Sequence, residues 1–399
     1  MVCAMHRVLF IAYHFPPCDE IGGSLRSEKF VKYLPRIGWQ PHVLSLSQKD
    51  PTVEEKYPFV ERLPSFTPWN RPYRMTPYGW IPSLYIYGRR LLRRISYDLI
   101  YVSCPPFPHA IVAPWLKRFA RIPLVIDFRD AWSVGPYMEG NSLNRLIYRH
   151  LFPTMEKKVL TEVDGLILNT PSSLEAYLKK YPDLAGRVTM IPNGYDEDDF
   201  VDYRPIKSTQ RMTLLYSGNF GIAGRHPGPL LEAIRQLVGE SRLVQLDIIG
   251  HHGPELTNLV GDLGLKDHVR FFGQIPHEEA LYAMAGSDIL VLYQERSQAR
   301  VTPIAGKTYE YLRAGKAILA IAPSGDNLDI VRENAARYET VSSHDPSDIA
   351  QAIRKLHSDW ERGSLIFNMP PSKVYIEQYN RQALTDRLAS YFENLVTRF

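Results

Sequence analysis

Lys307 and Glu310 lie three residues apart at the start of a segment that reads as a short helix. That spacing sets a cation and a carboxylate on one helical face. Such a pair beside a sheet suits a phosphate and a sugar hydroxyl. Two glycine-bearing loops could bring backbone amides to the same anion. One holds Gly22 and Gly23; the other runs Ser217-Gly-Asn-Phe-Gly-Ile-Ala-Gly-Arg-His226 and offers Gly218, Asn219 and Arg225. The second is the better phosphate cradle, although its spacing is not that of a Walker motif. The Gly22-Gly23 pair reads equally as a tight turn. Asp127, Arg129 and Asp130 fall at the end of an apolar run, where open α/β sheets gather their ligands. The same residues also read as an Arg–Asp pair tying a strand end to a helix.

These groups need a scaffold, and the apolar periodicity supplies one. Short runs at 7–13, 41–47, 98–103, 123–128, 164–169 and 187–192 predict buried strands, with helical spacing between most of them. Thr170 followed by Pro171 predicts a capped helix start. A polar stretch at 203–210 containing Pro205 marks a boundary, and the pattern then repeats. Strands are predicted at 212–216, 246–250, 269–272, 288–292 and 317–321, with helices at 227–238, 255–264, 276–285 and 306–314. Gly315 and Lys316 stop the last of these helices, and a long amphipathic helix follows at 376–396. Residues 48–83 are proline-rich without periodicity and read as a surface insertion. Asp196 to Asp199, four acids in a row, read as a solvated linker rather than a metal site.

A chain of 399 residues with 45% hydrophobic and 23% charged content predicts a globular α/β protein of two domains. Three cysteines without CxxC spacing argue against a disulfide framework and a zinc site, and suit a reducing cytoplasm. The first thirteen residues hold too short an apolar core for a signal peptide, and no run reaches the roughly 20 apolar residues of a membrane span. Charge is uneven: residues 57–158 carry 15 Lys and Arg against 6 Asp and Glu, among many aromatics. Within them a helix at 84–95 sets Arg89, Arg90, Arg93 and Arg94 opposite apolar positions 84, 87, 88, 91, 92 and 95. This face suits an anionic membrane or nucleic acid, or it is simply solvated while the apolar side packs on the core.

Taken in order, Pro16-Pro17 with Gly22-Gly23, Asp127-Phe-Arg-Asp-Ala-Trp132, Ile191-Pro-Asn-Gly194, Ser217-Gly-Asn219, Val269-Arg-Phe-Phe-Gly-Gln-Ile-Pro276 and Lys307-Thr-Tyr-Glu-Tyr-Leu312 resemble the GT-B glycosyltransferases. The likeness is closest to the retaining family-4 (glycosyl transferases group 1) type and covers nearly the whole chain. It implies two Rossmann-like, doubly wound parallel-sheet domains facing across a cleft. Residues 1–205 would bind the acceptor and 206–375 the nucleotide sugar, with the helix at 376–399 packing back on the first domain.

The resemblance implies transfer of a sugar from a nucleotide-diphosphate sugar to an acceptor hydroxyl with retained configuration. Gly22, Gly23, Gly218, Asn219, Gln274, Ile275, Thr302 and Glu310 would line the donor, with Glu310 on the ribose as second glutamate of the E-x7-E motif. Arg225 and Lys307 would neutralise the diphosphate, and Asp130 would orient the acceptor or stabilise positive charge on the sugar ring. Asp127, Arg129 and Asn193 would lie on the acceptor side. Two positions depart from the family pattern: Thr302 replaces the first glutamate, and Arg129 replaces a histidine and cannot act as a base at neutral pH. No metal or cofactor is implied. The acceptor would be a glycan or lipid-linked sugar of surface polysaccharide or glycolipid synthesis, in the cytoplasm or at the cytoplasmic membrane face, with no nucleic acid. The rivals are a GT-B nucleotide-sugar epimerase, for which His251-His252 is the candidate pair, and a non-catalytic nucleotide-sugar-binding or nucleic-acid-binding module.

Overall fold

Leu99–Cys104 and Leu124–Phe128 are buried at every position, as are Val244–Ile249 and Ala317–Ile321. Strands without an exposed face belong to a parallel sheet covered on both sides. The computed structural model describes residues 5–17, 24–47, 57–66, 76–135, 143–204, 210–220, 226–295, 301, 303–365 and 372–399, the side chains of 76 and 143–148 excepted. It divides into two units. One comprises Met1–Asn193, Ala299–Val301 and Tyr379–Phe399; the other comprises Gly194–Gln298 and Thr302–Gln378.

The first unit runs β1 (His6–Ala12), α1 (Ser24–Tyr33), β2 (Trp39–Leu46), β3 (Val60–Leu63), α2 (Thr76–Arg94), β4 (Leu99–Cys104), α3 (Ala113–Ala120), β5 (Leu124–Phe128), α4 (Leu143–Leu160), β6 (Gly165–Leu168), α5 (Pro171–Lys180) and β7 (Val188–Met190). The second runs β8 (Met212–Ser217), α6 (Gly228–Gly239), β9 (Val244–Ile249), α7 (Pro254–Asp262), β10 (Val269–Gly273), α8 (His277–Gly286), β11 (Ile289–Tyr293), α9 (Gly306–Ala314), β12 (Ala317–Ile321), α10 (Asp326–Asn334), β13 (Tyr338–Val341) and α11 (Pro346–Glu361). Then come α12 (Lys373–Tyr379) and α13 (Arg381–Arg398). Among the described residues the sheets are ordered β3-β2-β1-β4-β5-β6-β7 and β10-β9-β8-β11-β12-β13, with every pairing parallel. The predicted α/β class with two doubly wound sheets is what the chain adopts. In each sheet the strand order reverses beside the first strand, the place where such folds bind ligands.

Several boundaries differ from expectation for physical reasons. The stretch at 48–83 is not wholly irregular, since β3 adds a parallel edge to β2 and α2 starts at Thr76. Pro82 lies inside that helix. Trp80, Leu84 and Leu91 enter the core, and Gly88 faces Leu116 so closely that a Cβ there would stand 3.1 Å away. The apolar side of α2 is therefore already covered, while Arg90, Arg93 and Arg94 are exposed and Arg89 lies over the rings of Tyr85 and Phe119. The long helix expected at 376–396 is broken at Asn380, whose side chain accepts from Gln382 N and caps α13.

In the first unit α13 covers one face of the sheet. Leu384, Leu388 and Phe392 are fully buried, and the Phe392 ring lies 5.1 Å from Trp39 and 5.8 Å from Tyr101. Burying each such side chain contributes about 1.5–3 kcal/mol.

Candidate functional site

The helix carrying Lys307 and Glu310 is anchored on every side within its own unit. The Thr308 hydroxyl donates to Asn327 Oδ1 at 2.7 Å, and Tyr311 OH accepts from the Ser217 amide at 3.0 Å. Tyr375 OH reaches the Tyr309 carbonyl at 2.9 Å. Arg313 pairs with Glu197 through Nε at 2.8 Å and lies over the Phe200 ring. Gly315 ends α9 in the left-handed region at φ 66°. The acidic run is thus not a free linker: Glu197–Phe200 forms a helical turn capped by Asp196, and Glu197 braces α9.

On this platform the Lys307 ammonium donates to the Ser217 carbonyl at 2.9 Å and sits 3.7 Å from the centre of the Tyr216 ring. Glu310, one turn on, is half-buried and bonds His277 Nε2 through Oε1 at 3.0 Å. The β8 end is held by its neighbours. Gly218 N–H donates to Ile249 O at 2.8 Å, and Asn219 Oδ1 accepts from His251 N–H at 2.8 Å. Gly250, at φ 118°, lets this loop approach; a Cβ there would lie 2.3 Å from the Gly218 carbonyl. Gln274 is exposed and Ile275 half-buried in the turn between β10 and α8. A cation, a carboxylate and a strand-end loop are thereby gathered in the second unit, the set a diphosphate and a ribose would require.

The first unit gathers a different set at the ends of β1, β4 and β5. Asp127 is not an acceptor-facing carboxylate as expected. It is fully buried, accepts two bonds from Arg26 at 2.7 and 3.2 Å, and accepts the Tyr101 hydroxyl. The remaining donors of Arg26 reach the carbonyls of Ile191 and Pro192 at 2.8 and 2.6 Å and Asn193 Oδ1 at 3.4 Å. This cluster stitches α1 and β5 to the segment after β7. The tie between strand end and helix is real, but its cation is Arg26, not Arg129. Arg129 instead donates to the Pro105 carbonyl at 2.8 Å; with Asp130 it is half-buried.

Two further groups went unnoticed in the sequence. His14 and His109 are buried beside Arg129. Burial, then the Arg129 charge, then His109 lower the pKa of His14 to about 3. Burial lowers that of His109 to about 4, although its Nε2 bonds the Ser103 carbonyl at 3.0 Å. Glu156, wholly buried, accepts from Ser133 N at 3.1 Å, Tyr177 OH at 2.5 Å and Tyr181 OH at 2.7 Å, and so fixes the segment after Asp130. No local pattern announces these groups: the partners of Glu156 lie 21 to 25 residues away, and the burial of both histidines is set by the fold. Among the expected site residues Gly22, Gly23, Arg225 and Thr302 lie outside the described residues.

A family model described as Glycosyltransferase Family 4 matches residues 22–199, and one described as Glycosyl transferases group 1 matches residues 204–368. The chain belongs to the group 1 glycosyltransferases of GT-B fold. This family member is 25% identical over 258 residues to a D-inositol 3-phosphate glycosyltransferase of Corynebacterium jeikeium, across 60% of the chain and 59% of that protein. It is 23% identical over 309 residues to a phosphatidyl-myo-inositol mannosyltransferase of Mycobacterium leprae, across 69% of the chain and 77% of that protein. The match thus spans less than two thirds of the first relative's length. Among solved structures, sucrose-phosphate synthase from Thermosynechococcus elongatus superposes with a TM-score of 0.72 at 19% identity, across 99% of the chain and 100% of that protein. That likeness is one of fold.

Proposed function

We propose that this family member transfers a sugar, with retained configuration, from a nucleotide-diphosphate sugar to an acceptor hydroxyl in glycolipid or surface-polysaccharide synthesis. The observation that carries the reading is the Lys307 ammonium held 2.9 Å from the Ser217 carbonyl, one helical turn before Glu310. The leaving diphosphate develops negative charge in an oxocarbenium-like transition state, so fixed donors aimed at it lower the barrier. Lys307 and the backbone amide at 219 supply that charge stabilisation without a metal or cofactor, and the sequence assigns Arg225, Gly22 and Gly23 to the same anion. Glu310 accepts from the ribose hydroxyls, and Gln274 and Ile275 border the base. Thr302 takes the sequence place of the acid that would contact the donor sugar. On the acceptor side Asp130 orients the hydroxyl or stabilises the sugar cation, with Arg129 and Asn193 assigned to the same side by sequence.

The relatives named for inositol-phosphate and phosphatidylinositol acceptors support a lipid-linked or polyol acceptor. No helix among the described residues is long and apolar enough to cross a membrane. In the proposed setting, the cytoplasmic face of an anionic membrane, contact runs through Arg89, Arg90, Arg93 and Arg94. Charge reversal at these four should abolish sedimentation with anionic vesicles; unchanged sedimentation removes the membrane from the proposal. The transfer itself is tested by titration calorimetry with UDP-, GDP-, dTDP- and ADP-sugars, then a hydrolysis assay on any binder. Binding of none of them sinks the reading.

A further inference from the structure

His277 is the first residue of α8, directly after Gln274-Ile275-Pro276, and its Nε2 lies 3.0 Å from Glu310 Oε1. The bond joins the turn assigned to the base with the carboxylate assigned to the ribose. The His277 side chain is 44% exposed and that of Glu310 20% exposed, so the contact lies at an accessible rim. We propose that His277 is a positioning residue which fixes Glu310 for the vicinal hydroxyls of a ribose and so makes the donor site select ribonucleotides over 2′-deoxyribonucleotides; this rests on reading Glu310 as the ribose carboxylate.

The chemistry follows from counting acceptor positions. A carboxylate offers about four lone-pair positions, and one imidazole N–H occupies one of them. Both oxygens of Glu310 therefore keep an acceptor position, and the plane of the group is set before the nucleotide arrives. Two adjacent hydroxyls can then donate in parallel, one to each oxygen. Without His277 the long, rotamer-rich Glu310 side chain must be ordered on binding, which subtracts from affinity. A 2′-deoxyribose leaves one fixed carboxylate oxygen without its donor, and sites built around a hydroxyl reject analogues lacking it. Facing a carboxylate, which only accepts, Nε2 is the ring nitrogen that carries the donated proton.

The test is titration calorimetry with UDP, GDP and ADP and their 2′-deoxy counterparts. It is run on the full chain, on His277→Ala, His277→Gln and Glu310→Ala, and on the variant combining His277→Ala with Glu310→Ala, each with its melting temperature. The unmodified chain should bind the ribonucleotide of its preferred base at least about tenfold more tightly than the deoxy form. His277→Ala should lose most of that preference by weakening the ribonucleotide alone. His277→Gln, whose amide N–H reaches about as far as Nε2, should retain it. His277→Ala should add nothing in the Glu310→Ala background, because the two act as one unit. Equal weakening of both sugar types by His277→Ala, or additive effects in the combined variant, overturns the proposal while leaving Glu310 on the ribose. Retention of the preference by Glu310→Ala overturns the ribose assignment as well. Failure of all six nucleotides to bind overturns the donor site altogether.

Discussion

The Lys307 ammonium is held between the Ser217 carbonyl, 2.9 Å away, and the face of the Tyr216 ring, 3.7 Å from its centre. An acceptor and an aromatic face together fix a flexible cation before any anion arrives. Such a group stabilises a leaving diphosphate without reorganising during the reaction. Lys307→Ala should lower turnover about a hundredfold, on the order of 3 kcal/mol of barrier. Its melting temperature should change little, because the side chain is only half-buried at the start of α9. Lys307→Arg should not restore the rate. The ammonium concentrates its charge at one atom beside the Ser217 carbonyl, whereas a planar guanidinium spreads the charge over a fork of different shape. Steady-state kinetics on the confirmed donor decides both.

Gly250 tests whether the β8 loop must sit where it does. A Cβ at this position would stand 2.3 Å from the Gly218 carbonyl and 2.9 Å from Asn219 Oδ1, at a backbone φ of 118°. Both neighbours are groups of the loop itself, so Gly250→Ala must displace the loop. Strain of about 1–3 kcal/mol in the φ term alone is expected, with the collision adding to it. Denaturant midpoint and nucleotide affinity should fall together; an unchanged affinity contradicts the role given to this loop.

Asp127 distinguishes architecture from chemistry. Its carboxylate faces Arg26, and the two side chains are 0% and 2% exposed. Asp127→Ala strands the guanidinium in the interior, a change that typically costs about 3–5 kcal/mol. An acceptor-binding aspartate would instead lose activity and keep its stability. Equilibrium unfolding of the purified variant separates the two outcomes.

His14 and His109 make stability depend on pH in a defined direction. Both have folded pKa values, about 3 and about 4, below the ordinary 6.5. Above pH 6.5 folded and unfolded chains hold both rings neutral, and the stability is fully present. Between pH 6.5 and 4 the unfolded chain takes up protons that the fold refuses. Stability then falls by up to about 1.4 kcal/mol per pH unit for each ring. Burial lowers His42 and His357 too, so they act in the same direction. Unfolding midpoints measured from pH 7.5 to 4.5 should decline. The slope should be shallower when His14 and His109 are replaced together by glutamine; an identical slope assigns the effect elsewhere.

The central strands that position both groups of residues, β4, β5, β8, β9, β11 and β12, were legible because each is a short apolar run buried along nearly its whole length. β3 and β13 escaped notice. Both are half-buried edges, Val-Glu-Arg-Leu and Tyr-Glu-Thr-Val, whose charges blur the pattern. The helix bearing Lys307 and Glu310 was readable from spacing and from Gly315 as its stop. The direction in which Asp127 points was not, because a strand end does not reveal what packs against it. Arg26, Glu156 and His277 stayed hidden for the same reason: each acts through a partner 101, 23 and 33 residues away, respectively, and only the folded chain brings them together.

The covering of the first sheet by α13 sets an order of assembly. Trp39 and Tyr101 emerge early in synthesis, but Phe392, which closes over them, emerges only after the whole second unit has been made. Until then an apolar face of the nascent first unit stays open to water and to other chains. The second unit, whose strands and braces all fall between Gly194 and Gln378, has no such wait. Vectorial synthesis therefore lets the later-made unit finish folding first, the reverse of the usual N-terminal-first sequence.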